Sequence, residues 1–273
     1  MSQLDSLVAE IYDVLVIGGG IVGAGVARDA AMRGMKTALV EQRDFASGTS
    51  SRSSRLLHGG IRYLAQGRVG LVREANKEKT VLREIAPHLA DPLPFIFPTH
   101  RHSQWSWWKL SVGVKLYDLL CGLRRLGRSS SLNVQQTLEK LPSLSTENLT
   151  GSVRYFDGLT NDARLVLDTL RSAAFSGAIV QNYTRFIDAQ QHGNLWNAVL
   201  EDVRTGRAFE VRTRTVVNAA GPWSDRIPNS NTHLRLTKGV HLVIERERLP
   251  IPEAVVIAEG SRILFAIPWG ERV

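Results

Sequence analysis

The stretch from Tyr12 to Glu41 constrains the fold of this chain more than any other. An apolar run, Tyr12 to Ile17, leads straight into Gly18, Gly19 and Gly20, then Ile21, Val22 and Gly23 and a helical pattern reaching about Arg33. A second apolar run from Lys36 ends at Glu41, with Gln42 next. Strand-length runs on either side of a helix-length segment are the sequence form of a βαβ unit. Gly18 suits the tight turn, Gly20 lets backbone approach a pyrophosphate, and Gly23 brings helix close to strand. The helix N-terminus adds N–H groups and the positive end of a dipole. A carboxylate at Glu41 accepts hydrogen bonds from ribose hydroxyls and disfavours a ribose phosphate. A bare G-x-G-x-x-G is weak, but here it follows a strand and opens a helix. The unit therefore reads as a dinucleotide site of the FAD or NAD kind, with NADP disfavoured.

Bulk properties remove several classes. A chain of 273 residues, 43% hydrophobic and 22% charged, matches ordinary globular domains rather than a disordered or polytopic membrane protein. The glycine-rich run from Val14 to Ala27 is too short to span a bilayer. The first residues carry Asp5, Glu10 and Asp13 without a basic residue, the wrong polarity for a signal peptide. The single cysteine, Cys121, makes no internal disulfide and reads as a packed thiol, so a cytoplasmic location is expected. A net charge of +8 favours an anionic substrate, a phosphate-bearing cofactor or an acidic membrane surface. Neither a nucleic-acid partner nor a metal site is expected.

Further along, Ser47 to Ser54 reads as a loop capping a helix from Arg55 to Leu64, and Gly70 to Ile85 as a helix stopped by Pro87. Pro92, Pro94 and Pro98 flank a strand at Phe95 to Phe97. Trp105 to Arg128 is helical with one apolar face, and residues 129 to 150 are polar and loop-like, with a short helix left open. Asn161 to Ser176 is a helix; Leu195 to Val203 and Ala208 to Val217 form a hairpin turned at Thr205-Gly206. His241 to Glu245 and Ile263 to Trp269 are further strand candidates. The expected class is α/β with α+β elements. It comprises a Rossmann-like FAD-binding domain (11–85 and 150–225) and an interleaved, incomplete antiparallel-sheet substrate domain (86–149 and 226–273).

The segment Thr49-Ser50-Ser51-Arg52-Ser53-Ser54-Arg55-Leu56-Leu57-His58-Gly59-Gly60-Ile61-Arg62-Tyr63-Leu64 gathers hydroxyls, glycines and cations just after Glu41. A second helix N-terminus there would hold pyrophosphate or flavin oxygens, and Gly59-Gly60 would let a flat ring approach backbone. With IGGGIVGAG, NDARLVL, VVNAAGPW and TKGVHLV, running in order from residue 11 to residue 269, this string closely resembles the FAD-dependent glycerol-3-phosphate dehydrogenases.

The resemblance implies oxidation of sn-glycerol 3-phosphate to dihydroxyacetone phosphate, with electrons passing through FAD to a membrane quinone. By it, Thr49, Ser50, Ser51, Ser54, Arg55, Leu56, His58, Gly59 and Gly60 join the cofactor residues. Ala220 and Gly221 lie beside the pyrophosphate, and the segment reaching Phe186 meets the adenine. Arg62 and Tyr63 face substrate, and His241 acts as base with Lys238 and Arg62 as electrostatic helpers; such a reaction needs a base, a hydride acceptor and cations for the phosphate. Without the resemblance, His241 in its apolar run reads as structural. Family members are longer, so a truncated or split version is expected, with a second chain or homo-oligomer completing the fold. Trp105, Trp107, Trp108 and Lys109 mark a peripheral contact with lipid on the inner face of the cytoplasmic membrane. A related FAD amine or hydroxy-acid oxidase, and a non-enzymatic remnant without stable FAD, remain open.

Overall fold

The computed structural model describes residues 7–60, 67–101, 103, 105–121, 126–259 and 262–273, the side chains of 120, 121, 259 and 262 excepted. In chain order the elements are β1 (Ile11–Ile17), α1 (Ile21–Met32), β2 (Thr37–Val40), β3 (Leu56–Leu57), α2 (Val69–Ile85) and β4 (Asp91–His100). Then come α3 (Trp107–Cys121), β5 (Ser130–Leu132), α4 (Val134–Lys140), β6 (Leu149–Leu159), α5 (Asp162–Phe175) and β7 (Ile179–Gln181). The last five strands are β8 (Thr184–His192), β9 (Leu195–Asp202), β10 (Ala208–Asn218), β11 (Ala254–Glu259) and β12 (Arg262–Ala266). They gather into two compact units, Met1–Ser54 with Asn161–Gly239, and Arg55–Thr160 with Val240–Val273. These breaks differ from the expected 85, 150 and 225. Both β3 and β4 pair antiparallel with β6, which draws residues 55–85 and 150–160 into the second unit.

The first unit is built on a sheet of order β7-β2-β1-β10-β9-β8. Strand β1 lies between β2 and β10, parallel to both, while β9 runs antiparallel to β10 and β8. On one face α1 and α5 pack through Ala24, Ala27, Ala31, Val166, Leu170 and Ala173 onto Val16 and Leu39. The alanines let the α1 backbone come close, and each fully buried Val or Leu contributes about 1.5–3 kcal/mol. Tyr12, Leu15, Val40, Leu200 and Val211 form a cluster on the opposite face. Strands covered on both sides need continuous apolar runs, which is why β1 and β2 lack alternation. Helix α5 starts where its caps place it: the Asn161 side chain accepts the Arg164 N–H and Asp162 sits in the first turn.

The second unit has a sheet of order β12-β11-β4-β6-β3, with β5 also on β6. All pairings are antiparallel except a short parallel register of Ala254 and Val255 with Phe95 and Ile96. Phe95, Phe97, Val153, Tyr155, Ala254 and Val256 pack with Leu110 and Val114 of α3. The other face of α3 leaves Trp108, Val112, Leu116 and Leu119 exposed, at spacings that put them on one stripe.

Several expected elements differ. No helix forms from Arg55 to Gly60. Leu56 and Leu57 instead pair with Leu159 and Gly158, and Arg55 takes a positive φ of 59° that no helix continues through. Residues 61–64 of that expected helix lie outside the described residues. Strand β4 runs for ten residues rather than three. Its prolines share one parity, so one side of the strand alone forgoes donors, and on that sheet only Phe95 and Ile96 register with β11. The stretch 129–150, expected to be loop-like with a short helix left open, holds that helix as α4, opened by a capping box of Asn133 and Gln136, and adds an unexpected strand, β5. The expected strand at 241–245 is absent. Residues 231–244 carry no regular structure; at their end Ile244 pairs with Val273, and Glu245 bridges to Arg272. Leu242 and Val243 are exposed there, so the apolar run has no sheet to lie on among the described residues.

Candidate functional site: a dinucleotide cradle and the HGG segment

The C-terminal end of β1 opens between β2 and β10, the position where an α/β sheet changes direction and ligands bind outside the strand ends. Gly18 turns there with a φ of 112°, and a Cβ on it would lie 2.5 Å from the Ala219 carbonyl oxygen. A Cβ on Gly23 would lie 1.9 Å from the Gly18 carbonyl oxygen, so α1 can reach the strand only with glycine at that position. Around Gly20 a Cβ would meet nothing nearer than Ser50 Oγ at 3.4 Å, which leaves the approach open. Of the orphan N–H groups at the α1 start, that of Ile21 donates to Ser50 Oγ at 3.1 Å, and Val22 beside it is exposed.

Glu41 ties the loop to the second strand. Its Oε2 accepts the Gly19 N–H at 2.8 Å and its Oε1 accepts the Arg43 N–H at 2.9 Å. Each carboxylate oxygen has a lone pair beyond those bonds, so the side chain can also accept from a sugar hydroxyl. Gln42 is exposed beside it. The turn after β7 closes this end, with the Thr184 N–H on the Glu41 carbonyl and the Tyr183 N–H on that of Arg43. Phe186 is partly buried, packed against the core of Tyr12 and Leu200, and it pairs with Leu200 of β9 in the sheet. At the β10 end Ala220 donates its N–H to Asn218 Oδ1, and Gly221 takes a φ of 58°.

The Ser-rich segment is not a second helix N-terminus. Thr49–Ser51 is a single 3₁₀ turn, Ser51 Oγ donates to the Ala46 carbonyl, and Ser53 Oγ bonds Asp162. Ser50 alone of these is seen at the α1 start, and Ser54 closes the first unit's share of the segment. Arg55 to Gly60 belong to the second unit. There the Arg55 guanidinium stacks on Trp269, 3.3 Å from the ring centroid, and Leu56 joins the core about Phe95. Gly59 is buried. Its N–H donates to Asp157 Oδ1 at 2.9 Å, and its carbonyl accepts Asn76 Nδ2 at 3.2 Å. A Cβ on Gly59 would fall 1.6 Å from Tyr117 Oη and 2.7 Å from Lys79 Nζ. The glycine is therefore required by its own buried polar neighbours, whereas the sequence pointed to room for a flat ring. His58 is half-exposed with Nδ1 3.8 Å from Asp157 Oδ2, and Gly60 takes a φ of 80°.

Burial by itself pushes the Asp157 carboxyl up; His58, the Lys79 ammonium and the Gly59 N–H together outweigh it and hold the group below the usual carboxylate range. Lys79, Tyr117 and Asp157 went unread in the sequence, because they come from three elements and share no short spacing. Lys238 and His241 lie exposed in the irregular segment. Arg62 and Tyr63 lie outside the described residues, as does the Cys121 side chain.

The sequence profile of the family described as FAD dependent oxidoreductase matches residues 13–273, and the chain belongs to that family. It is 40% identical over 268 residues to the aerobic glycerol-3-phosphate dehydrogenase of Staphylococcus haemolyticus and 41% identical over 268 residues to that of Staphylococcus aureus. Among solved structures it superposes on the glycerol-3-phosphate dehydrogenase from Bacillus halodurans complexed with FAD, with a TM-score of 0.76 and 33% identity over 99% of this chain and 48% of that one. Glycine oxidase from Bacillus cereus matches at a TM-score of 0.53 and 26% identity, over 79% of this chain and 57% of that one. The Staphylococcus matches cover 95% and 94% of this chain, and the chain spans about half the length of those relatives, 48% in each case.

Proposed function

We propose that the first unit holds FAD and that the chain is the FAD-binding part of an enzyme oxidising sn-glycerol 3-phosphate to dihydroxyacetone phosphate. The observation that carries this reading is the cradle itself: Gly18 and Gly23 are locked by packing, Gly20 stays open, and Ser50 and Glu41 stand at the helix start. The residues fit the group. The α1 N-terminus and Ser50 would face the pyrophosphate, Glu41 a ribose, and Ala220 and Gly221 the backbone side of the cofactor. Bound FAD supplies the two-electron acceptor for the oxidation. The chain's part is to take the hydroxyl proton, assigned to His241, and to neutralise the phosphate with Lys238 and Arg62, with Tyr63 toward the substrate.

Delivery of the electrons to a quinone extends the same reading, and the exposed stripe of α3 supports it. Trp108, Val112, Leu116 and Leu119, flanked by Lys109 and Lys115, match the pattern of a helix lying in a lipid interface. No helix among the described residues is long and apolar enough to cross a membrane. The test is anaerobic. The chain should purify yellow, and glycerol 3-phosphate should bleach the flavin bands. Bleaching by glycine or proline instead would move the chain to the amine oxidases, and a colourless protein that takes up no added FAD would refute the cofactor assignment.

A further inference from the structure

Two helices and the segment after β3 converge on the carboxylate of Asp157, a β6 residue whose side chain is 3% exposed. One oxygen, Oδ1, takes three donors: Lys79 Nζ of α2 at 2.9 Å, Tyr117 Oη of α3 at 2.8 Å, and the Gly59 N–H after β3. Lys79 and Tyr117 also bond each other at 3.0 Å. The other oxygen, Oδ2, is left facing the His58 ring.

This arrangement is a poor staple. Removing two charges from water offsets most of what their attraction returns, and a packed apolar pair would join α2, α3 and β6 as well. A buried carboxylate with one saturated oxygen does supply something that apolar packing cannot: a fixed negative potential aimed at one atom. That atom is His58 Nδ1. The group that selects the partner of one imidazole nitrogen also selects what the other nitrogen presents.

We propose that Asp157, braced by Lys79 and Tyr117, is a positioning residue for His58. It keeps the ring proton on Nδ1 and leaves Nε2, on the far side of the ring, as a bare acceptor. The Gly59 N–H bond to the same carboxylate fixes the adjoining peptide, so ring and backbone are set by one group. Phe265 of β12 covers part of the ring, its centroid 5.9 Å away at a 50° tilt, and offers no competing charge. His58 therefore presents a lone pair matched to a hydroxyl or N–H donor on whatever binds beside it; a carbonyl would meet no donor there. The inference concerns groups of the second unit alone and stands whether or not glycerol 3-phosphate is the substrate.

The experiment is ¹⁵N NMR of the histidine-labelled protein at about pH 8.5, where an ordinary imidazole is neutral. The His58 signals are assigned by their loss in His58→Gln. The parent should show Nδ1 in the protonated range and Nε2 in the unprotonated range; the reverse overturns the proposal without any further variant. Asp157→Asn combined with Lys79→Met removes both charges together and leaves neither buried alone. In that protein His58 should shift toward the Nε2–H form that free imidazole side chains prefer, and a retained Nδ1–H form overturns the proposal. Tyr117→Phe keeps both charges and should keep the Nδ1–H form, which separates loss of charge from loosening of the cluster; a shift there would equally count against Asp157.

Discussion

Replacing Gly59 by alanine tests the packing around the HGG segment. The added Cβ would stand 1.6 Å from Tyr117 Oη, 2.6 Å from Asn76 Oδ1 and 2.7 Å from Lys79 Nζ. Two of those atoms end long side chains, but both are held on Asp157 at 2.8–2.9 Å. Moving Tyr117 far enough to clear a methyl group breaks its bond to the carboxylate. Overpacking alone costs about 1–3 kcal/mol, and a lost hydrogen bond to a charged group adds about 1.5–3 kcal/mol. The expected destabilisation is therefore about 3–5 kcal/mol, a large fraction of the ~5–15 kcal/mol that holds an ordinary domain folded. Urea unfolding followed by tryptophan fluorescence reads it, since Trp105, Trp107, Trp108 and Trp269 all lie in the second unit. Adding Tyr117→Phe removes the atom nearest the new methyl and should recover about 1–2 kcal/mol, a coupling of the size seen between residues in contact. Gly25→Ala, where a Cβ meets nothing within 4 Å inside α1, is the control and should stabilise by about 0.5–1 kcal/mol. A Gly59→Ala protein that unfolds at the parent's urea midpoint would refute the packing argument.

Glu41→Ala should weaken FAD binding by about 1–3 kcal/mol and also loosen the loop, because the carboxylate holds the Gly19 and Arg43 N–H groups. Calorimetric titration with FAD checks this, and unchanged affinity removes Glu41 from the ribose site. The Asp157 carboxyl is held below its usual value, so its contribution to stability is complete above pH of about 4 and is lost as pH falls through the depressed folded value. Urea midpoints measured from neutral to acid pH should fall less steeply in Asp157→Asn/Lys79→Met than in the parent; parallel curves exclude Asp157 as a source of acid sensitivity. Trp108→Ser with Leu119→Ser should reduce cosedimentation with anionic liposomes several-fold while the circular dichroism stays that of the parent. Equal lipid binding would exclude the α3 stripe as the contact.

The cradle was legible because its signals are local. The glycine spacing, the predominantly apolar runs of β1 and β2 and the carboxylate at Glu41 lie within about thirty residues, and each reports a backbone requirement that neighbours in sequence impose. Asn161 and Asp162 marked the start of α5, and Thr205-Gly206 the turn between β9 and β10, for the same reason. The helix read at Arg55 failed because Leu56 and Leu57 take partners about a hundred residues away on β6, and no local pattern states that pairing. Likewise the apolar run from His241 to Glu245 reads as a strand but does not state whether a partner strand exists to receive it.

The sequence by itself determined the βαβ unit, its glycines and the class of ligand they suit, since dihedral freedom, periodicity and capping act within a few residues. The tertiary structure alone decided that Ser50 meets the start of α1, that Gly59 is glycine because Tyr117 and Lys79 press on it, and that His58 faces Asp157. Those contacts join residues 20 to 99 positions apart. They exist because buried charges and donors must find partners in space, a requirement that chain order does not record.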